Sequence, residues 1–136
     1  MPTKKIVIDD VPKGQRRPRF ARRGNFVTTF DPDRESKLWI KHLCAEQIEE
    51  VLEGPIEIEL LAFMPIPKST SKKRKLLMLS NEIKHTKVPD GDNIFKKFSD
   101  ALSGLAYCDD RQIWRHTVEK RYSEQPHVEI TISWEV

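Results

Sequence analysis

The sequence predicts an α+β fold: a small mixed or antiparallel β-sheet flanked by two main helices in a single domain. Three observations support this prediction. The 136-residue chain suits one hydrophobic core. Strand-like and helix-like segments follow one another roughly as β-β-α-β-loop-α-β-β. The last two strand patterns are neighbours in sequence and are expected to pair, as in an α+β sheet. No repeat or linker divides the chain, so residues 1–136 are treated as one domain.

The N-terminal half begins with strand signals and continues into a helix. Residues 5–8 and 25–30 contain β-branched runs and predict strands, whereas residues 11–24, rich in Pro, Gly and Arg, predict a basic loop. Asp31 suits the N-cap of the following helix, and Pro32 suits its first position because proline has no N–H to leave unpaired. We expect this helix to end at Gly54, before Pro55. Its predicted apolar face contains Ile40, Cys44, Ile48, Val51 and Leu52.

The C-terminal half carries the clearest periodicities. Residues 56–64 alternate apolar and polar side chains and predict a strand. In residues 65–87, two prolines end that strand and a short helix is expected through Leu77; we expect this segment to be the most mobile. Residues 92–102 predict a helix with an apolar stripe, ended by Gly104. Residues 114–122 and 128–136 predict the final two strands, joined by a turn at residues 123–126.

Basic residues flank the middle of the chain in two blocks. The formal net charge is +3 and 33% of the residues are charged. Such blocks most often bind phosphate groups, but each one taken alone fits a solvated surface or a mobile tail equally well. The first block contains Lys4, Lys5, Lys13, Arg16, Arg17, Arg19, Arg22 and Arg23; the second contains Lys68, Lys72, Lys73, Arg74 and Lys75.

Cysteine content and hydropathy exclude several classes of protein. Cys44 and Cys108 are too few for a disulfide framework or a cysteine-based zinc site. The N-terminal apolar run is too short for a signal peptide, and no segment approaches the length needed to span a membrane. We therefore expect a cytoplasmic location and no membrane partner.

Five aspartates lie between residues 90 and 110 of this otherwise basic chain. Clustered carboxylates repel one another and repel an anionic ligand unless a cation lies between them. Mg²⁺ is the usual cation, because it prefers oxygen ligands and retains water molecules for chemistry on phosphates. The pattern therefore indicates a metal-dependent enzyme that acts on a polyanion.

Asp90 and Asp92 would point to the same side of an extended segment, with Gly91 allowing close approach between them. Together with Asp110 from the next element they could bind one edge of a divalent ion. Alternatively, Asp92 caps a helix, or the Asp-Gly-Asp segment is a turn. Lys96 lies one helical turn after Asp92 and would contact the reacting phosphate or form an i, i+4 ion pair with Asp92.

In the same region the sequence resembles the RusA-type Holliday junction resolvases, small dimeric endonucleases that prophages often carry. The resemblance rests on PDGDNIFK at residues 89–96, DAL at 100–102, Gly104 and YCDDRQI at 107–113. Weaker matches extend it over nearly the whole chain: Gly14, RPRF at 17–20, Pro67, Ser69, HTK at 85–87 and VEK at 118–120. One departure is Gly91, where the family often has a larger apolar residue.

The resemblance implies a homodimer that cuts symmetric strands of a four-way DNA junction with Mg²⁺ or Mn²⁺. It assigns catalytic roles to Asp90, Asp92, Lys96 and Asp110, with the three aspartates as metal ligands and Asp109 as an additional candidate ligand. The residues expected to contact DNA are Arg16, Arg17, Arg19, Lys72, Lys73, Arg74, Lys75 and Lys87.

Other residues near the motif are expected to have supporting roles. Asp100 is too far along the helix from Asp92 to share its metal ion, so we expect it to be structural. Lys97 is expected to be solvated or to contact the DNA backbone, and His85 to contact a phosphate or a carboxylate. An alternative function is a non-catalytic DNA-binding or assembly protein on the same scaffold.

Overall fold

The computed structural model describes residues 1–15, 19–23, 26–30 and 32–135, and for residues 19–23 and 26–30 it describes the backbone alone. Three helices and six strands occur within these ranges, together with a short 3₁₀ helix at Asp110–Gln112. The elements in chain order are β1 Thr3–Ile8, β2 Arg19–Arg23, β3 Phe26–Phe30, α1 Arg34–Ala45, β4 Ile56–Pro65, α2 Lys72–Leu79, α3 Gly91–Leu102, β5 Ile113–Ser123 and β6 His127–Trp134.

The main sheet has four strands in the order β1-β6-β4-β5, and β2 and β3 form a separate antiparallel hairpin. Strand β4 is parallel to β5 and antiparallel to β6, so the sheet is mixed and the predicted α+β class is confirmed. The expectation that the last two strands pair is wrong, because β4 lies between them. The long apolar β4 takes the centre of the sheet, whereas β5, with exposed residues at 114–117, takes an edge.

One face of the sheet forms the hydrophobic core together with α1 and α3. Ile6 pairs across β1 and β6 with Ile130, and Leu60 of β4 pairs with Ile130 from the other side; all three are buried. Tyr107 is fully buried, and its hydroxyl donates a hydrogen bond to the carbonyl of Ser99 in α3 (2.7 Å). The helices contribute Ile40, Cys44, Ile94, Phe98, Ala101 and Leu102 to the same core.

Helix α1 differs from the prediction at both ends. It begins at Arg34 with Asp33 at the N-cap, rather than with Asp31 at the N-cap and Pro32 at its first position; Asp31 itself lies outside the described residues. It ends at Ala45, well before Gly54. The side chain of Gln47 accepts a hydrogen bond from the N–H of Val7 (2.9 Å) and donates one to its carbonyl (2.8 Å), which ties the chain to β1 at this point. This tertiary contact competes with continuation of the helix.

The predicted basic loop at residues 11–24 is also partly wrong, since residues 19–23 form β2 and pair with β3. The sequence between these strands is Gly-Asn, residue types that favour two-residue hairpin loops. The many arginine and proline residues around this segment favour a loop, so the sequence pattern did not indicate the hairpin.

The remaining helices agree with their sequence patterns. Helix α2 forms after Ser71, whose hydroxyl accepts a hydrogen bond from the N–H of Arg74 (3.3 Å) as an N-cap. Helix α3 begins at Gly91 and ends at Leu102, close to the predicted limits. In the described ranges, no helix combines the length and the apolar character that crossing a membrane requires.

Candidate active site

Asp90 and Asp92 lie at the start of α3 with exposed side chains. Asp90 is the N-cap residue and has an extended backbone (φ −65°, ψ 148°), but its side chain makes no capping hydrogen bond. Neither carboxylate forms a hydrogen bond or ion pair with another described residue. The alternative in which Asp92 caps the helix is wrong, because Asp92 lies within its first turn. Both carboxylates are therefore available to a ligand, and the helix dipole favours negative charge at this end.

The backbone of this acidic segment packs tightly between two other parts of the chain. A Cβ atom added to Gly91 would lie 3.3 Å from Cγ1 of Val118 in β5. A Cβ atom added to Gly14 would lie 2.8 Å from Cβ of Pro89, so Gly14 also permits close contact. The N–H of Gln15 donates a hydrogen bond to the carbonyl of Asn93 (3.1 Å). Packing thus fixes the main chain that carries the two aspartates.

Asp109 and Asp110 lie at the start of the 3₁₀ helix, at the end of the loop that follows α3. Asp109 is its N-cap: its carboxylate accepts a hydrogen bond from the N–H of Arg111 (2.9 Å) and forms a capping box with Gln112. The amide oxygen of Gln112 accepts from the N–H groups of Cys108 (2.8 Å) and Asp109 (2.9 Å). The side chain of Asp109 therefore has a structural role, whereas that of Asp110 is exposed.

The pKa values of the two neighbouring carboxyl groups are shifted in opposite directions. A hydrogen bond to Asp109 raises the pKa of Asp110, and desolvation and the charges of Asp109 and Asp100 act in the same direction. The hydrogen bonds from the backbone of Arg111 and the carboxyl of Asp110 lower the pKa of Asp109. Negative charge at this position is thus unfavourable for Asp110 unless a cation compensates for it.

The aspartates are chemically suited to a hard divalent ion, because they supply only oxygen ligands. Within the part of the chain that the structure describes, no three His, Cys, Asp or Glu side chains form a group that could hold a metal ion. Asp90 and Asp92 stand at one element, and Asp109 and Asp110 at another. The assignment of Asp90, Asp92 and Asp110 as ligands stays a prediction.

The two adjacent lysines of α3 have different environments. Lys96 is exposed, and among the described ion pairs it has none with Asp92. Lys97 is only 3% exposed, and its ammonium lies 3.9 Å from a carboxylate oxygen of buried Asp33. The expectation that Lys97 is solvated is therefore wrong. Asp100 pairs with Lys37 of α1 (3.4 Å), which agrees with the structural role expected for it.

The predicted DNA-contacting residues are only partly described. Lys72, Lys73 and Arg74 are exposed on the first turn of α2, and Lys75 pairs with Glu124 (2.8 Å). Lys87 is exposed three residues before Asp90. Arg16 and Arg17 lie outside the described residues, and for Arg19 only its backbone position in β2 is described.

The sequence analysis assigns no role to Lys120 of β5, which lies against the acidic segment. Its ammonium donates hydrogen bonds to the carbonyl oxygens of Lys87 (2.9 Å) and Pro89 (3.2 Å). A signal was present in the strand pattern, because Lys120 occupies a position facing the helices, where a polar group needs a partner. Lys120 also lowers the pKa of His85, although burial of that histidine contributes more.

Comparisons with known proteins place nearly the whole chain in one family. The chain matches the family of endodeoxyribonuclease RusA over residues 9–133. It is also 34% identical over 133 residues to the uncharacterized protein YqaN of Bacillus subtilis strain 168, and the match covers 94% of each chain. The chain therefore belongs to the RusA endodeoxyribonuclease family, whose activity is endonucleolytic resolution of Holliday junctions.

Proposed function

We propose that this protein is a Mg²⁺-dependent, structure-selective endonuclease that resolves four-way DNA junctions by paired phosphodiester hydrolysis. The observation that carries the proposal is the start of α3, where Asp90 and Asp92 are exposed and neither side chain caps the helix. Lys96, one turn later, is also exposed. A helix start that needed these aspartates for its own stability would commit them to backbone N–H groups.

In this proposal Asp90, Asp92 and Asp110 hold the metal ion, and Mn²⁺ suits the same oxygen ligands. The bound ion would lower the pKa of a water molecule and offset negative charge at the scissile phosphate. Lys96 has a separate role, in which its ammonium contacts a phosphate oxygen and stabilises the charge that develops there. Gly91 lets the backbone between the two aspartates lie directly on Val118.

The DNA is bound through its phosphates by the exposed start of α2 and by Lys87, with Arg16, Arg17 and Arg19 as further contacts from the sequence. These side chains carry the positive charge that a junction requires, and their contacts release counterions. Paired cleavage of two symmetry-related strands needs two active sites related by a two-fold axis. We therefore propose that the protein acts as a homodimer.

A supercoiled plasmid with an extruded cruciform tests the metal dependence of cleavage and the paired cutting of the two strands in one experiment. Wild-type protein with Mg²⁺ should convert the plasmid directly to the linear form, because both strands are cut before the protein dissociates. Asp90→Asn and excess chelator should each leave it supercoiled, whereas Asp9→Asn, at an exposed position outside the site, should behave as wild type. A nicked circle as the main stable product would exclude paired cleavage. Junction binding without any cut by the wild type would favour the non-catalytic alternative.

The role of α2 can be tested through the salt dependence of binding. Each phosphate contact that is lost should reduce the slope of log affinity against log salt by about 1. Single Ala variants of Lys72, Lys73 and Arg74 should therefore flatten the slope, and Lys41→Ala on α1 serves as the matched control. Unchanged slopes in all three α2 variants would exclude this surface from DNA binding.

A further inference from the structure

We propose that Lys120 is a positioning residue: from β5 it holds the main chain of residues 87–90, and so fixes where Asp90 presents its carboxylate. Lys120 lies on the face of β5 that looks toward the helices, in register with Ala62 of β4, which is fully buried. Its ammonium bonds the carbonyl oxygens of Lys87 (2.9 Å) and Pro89 (3.2 Å). Hydrogen bonds from a charged donor are stronger than those between neutral groups.

The bond to Pro89 bears directly on Asp90 because of peptide geometry. The carbonyl of Pro89 belongs to the planar peptide unit that contains the nitrogen and Cα of Asp90. Holding that oxygen therefore fixes the N–Cα bond of Asp90, and the bond from the N–H of Ile94 to the carbonyl of Asp90 (3.1 Å) restrains the peptide unit on its other side. The N-cap carboxylate makes no bond to its own helix, so the helix does not fix the side chain of Asp90.

Neighbouring residues of β5 support the same segment. Val118 lies beneath Gly91, two positions before Lys120 on the same face of the strand. Tyr122, two positions after Lys120, packs its ring against that of His85, with centroids 5.0 Å apart. Residues 85–91 thus run antiparallel to β5 and contact it at Tyr122, Lys120 and Val118. Lys120 is the middle contact and the one that forms hydrogen bonds.

The charge of Lys120 is directed at main-chain oxygens rather than at an acidic side chain. Among the described ion pairs, none joins Lys120 to Asp90 or Asp92. Loss of the lysine should therefore loosen the segment without removing a ligand. The proposal depends on the proposed nuclease function only for its effect on cleavage; the effect on the backbone stands independently.

Amide hydrogen exchange in the metal-free protein tests the backbone effect. The N–H of Ile94 bonds to the carbonyl of Asp90 (3.1 Å), so its exchange reports on the held segment. In Lys120→Met we expect Ile94 to exchange at least tenfold faster, while Ile130 in the centre of the sheet stays within twofold. Lys120→Arg, which retains charge and donors, should stay within threefold of wild type for both amides. Lys84→Met controls for loss of one exposed charge, and Lys120→Gln replaces the Met variant if that variant does not fold.

Equal acceleration of exchange at Ile94 and Ile130 would reveal a purely global loss of stability and would overturn the proposal. An unchanged exchange rate at Ile94 would also overturn it. In single-turnover cleavage, Lys120→Met should need at least tenfold more Mg²⁺ for half-maximal rate, with junction affinity within threefold of wild type. A weaker junction affinity at an unchanged Mg²⁺ requirement would instead make Lys120 a DNA contact. If the wild type does not cleave, the proposed function fails, but the exchange result still decides the role of Lys120.

Discussion

The two acidic pairs of this protein are held in place by different means. At Asp90 and Asp92 the backbone is anchored from outside, by Lys120, and both carboxylates remain exposed. At the second pair, Asp109 uses its own carboxylate to cap the 3₁₀ helix, and only Asp110 remains exposed. The first pair therefore has two carboxylates without a structural partner among the described residues, whereas in the second pair Asp109 is committed to the cap. Proximity in sequence does not distinguish the two cases.

The largest expected effect is on the rate of junction cleavage, which should fall far more in Asp110→Asn than in Asp109→Asn. Asp110→Asn should lower single-turnover junction cleavage by at least roughly 10²-fold, since even groups that only support metal ligands contribute 10–100-fold. Junction affinity should stay the same or increase, because a negative charge near phosphates is lost. Asp90→Asn and Asp92→Asn should behave as Asp110→Asn does.

Asp109→Asn is the matched control, because asparagine keeps a side-chain oxygen that accepts the N–H of Arg111. It should stay within about tenfold of the wild-type rate, below the loss expected for a residue that supports a metal ligand, because the cap is kept and Asp110 is unchanged. An equal loss in Asp109→Asn and Asp110→Asn would mean that both aspartates act on the ion, contrary to a capping role for one and a ligand role for the other.

Lys96 and Lys97 should give opposite phenotypes. Lys96→Met should leave folding unchanged and reduce single-turnover cleavage by roughly 10²-fold, as loss of a preorganised charge typically does. Lys97→Met should cost on the order of 3 kcal/mol of stability, because it removes one member of a buried ion pair with Asp33. Urea denaturation and saturating-protein kinetics separate the two effects. A Lys96→Met rate within about threefold of wild type would exclude a catalytic role for that lysine.

Asp109→Ala should have a smaller effect, limited to stability. It removes the cap of the 3₁₀ helix and should reduce the free energy of unfolding by about 1 kcal/mol. Asp110→Ala, which removes no capping bond, should change stability less. Denaturant midpoints of the two variants under identical conditions make the comparison, and an equal or larger loss in Asp110→Ala would contradict the capping role.

The smallest expected effect concerns Glu129, an acidic residue with a dedicated ion pair on β6. A hydrogen bond from Lys5 holds the pKa of Glu129 below its usual 4.5, with a further contribution from His127. Because the folded-state pKa is lowered, the stabilisation is present above pH 4.5 and is lost as the pH falls through the lower folded-state value. Glu129→Gln should therefore cost less than about 1 kcal/mol near pH 7. The difference from wild type should disappear in acid, and a difference that grows in acid would contradict this assignment.

The sequence predicted those parts of the fold that depend on local periodicity. The alternation along β4 and β6 and the apolar stripe of α3 identified these elements and their burial. Local periodicity did not predict the end of α1 at Ala45. The chain there is held by the contact between Gln47 and Val7, which are 40 positions apart in the sequence. The position of β4 between the last two strands is likewise set by tertiary packing. The turn after β5 permits β5 and β6 to pair with each other, and it equally permits both to pair with β4.

The candidate site likewise has residues that the sequence pattern predicts and residues whose environment depends on tertiary packing. The motif predicts the aspartates and Lys96 as site residues by type and spacing, and this assignment stays a prediction. Residue type alone did not distinguish Lys96 from Lys97, whose environments are set by the helices packed around them. The strand pattern places Lys120 on the face toward the helices, but it does not reveal the partners of this lysine, because they are main-chain oxygens.

The two cysteines of the chain provide an intrinsic probe of this site. Burial raises the pKa of the Cys44 thiol to about 11, so this thiol stays protonated and inert at neutral pH. Cys108 is exposed and directly precedes Asp109. A thiol-reactive fluorophore or spin label added to the native protein should therefore attach selectively at Cys108. Arrival of DNA or metal at the acidic pairs can then be followed by spectroscopy without introducing a cysteine anywhere in the chain.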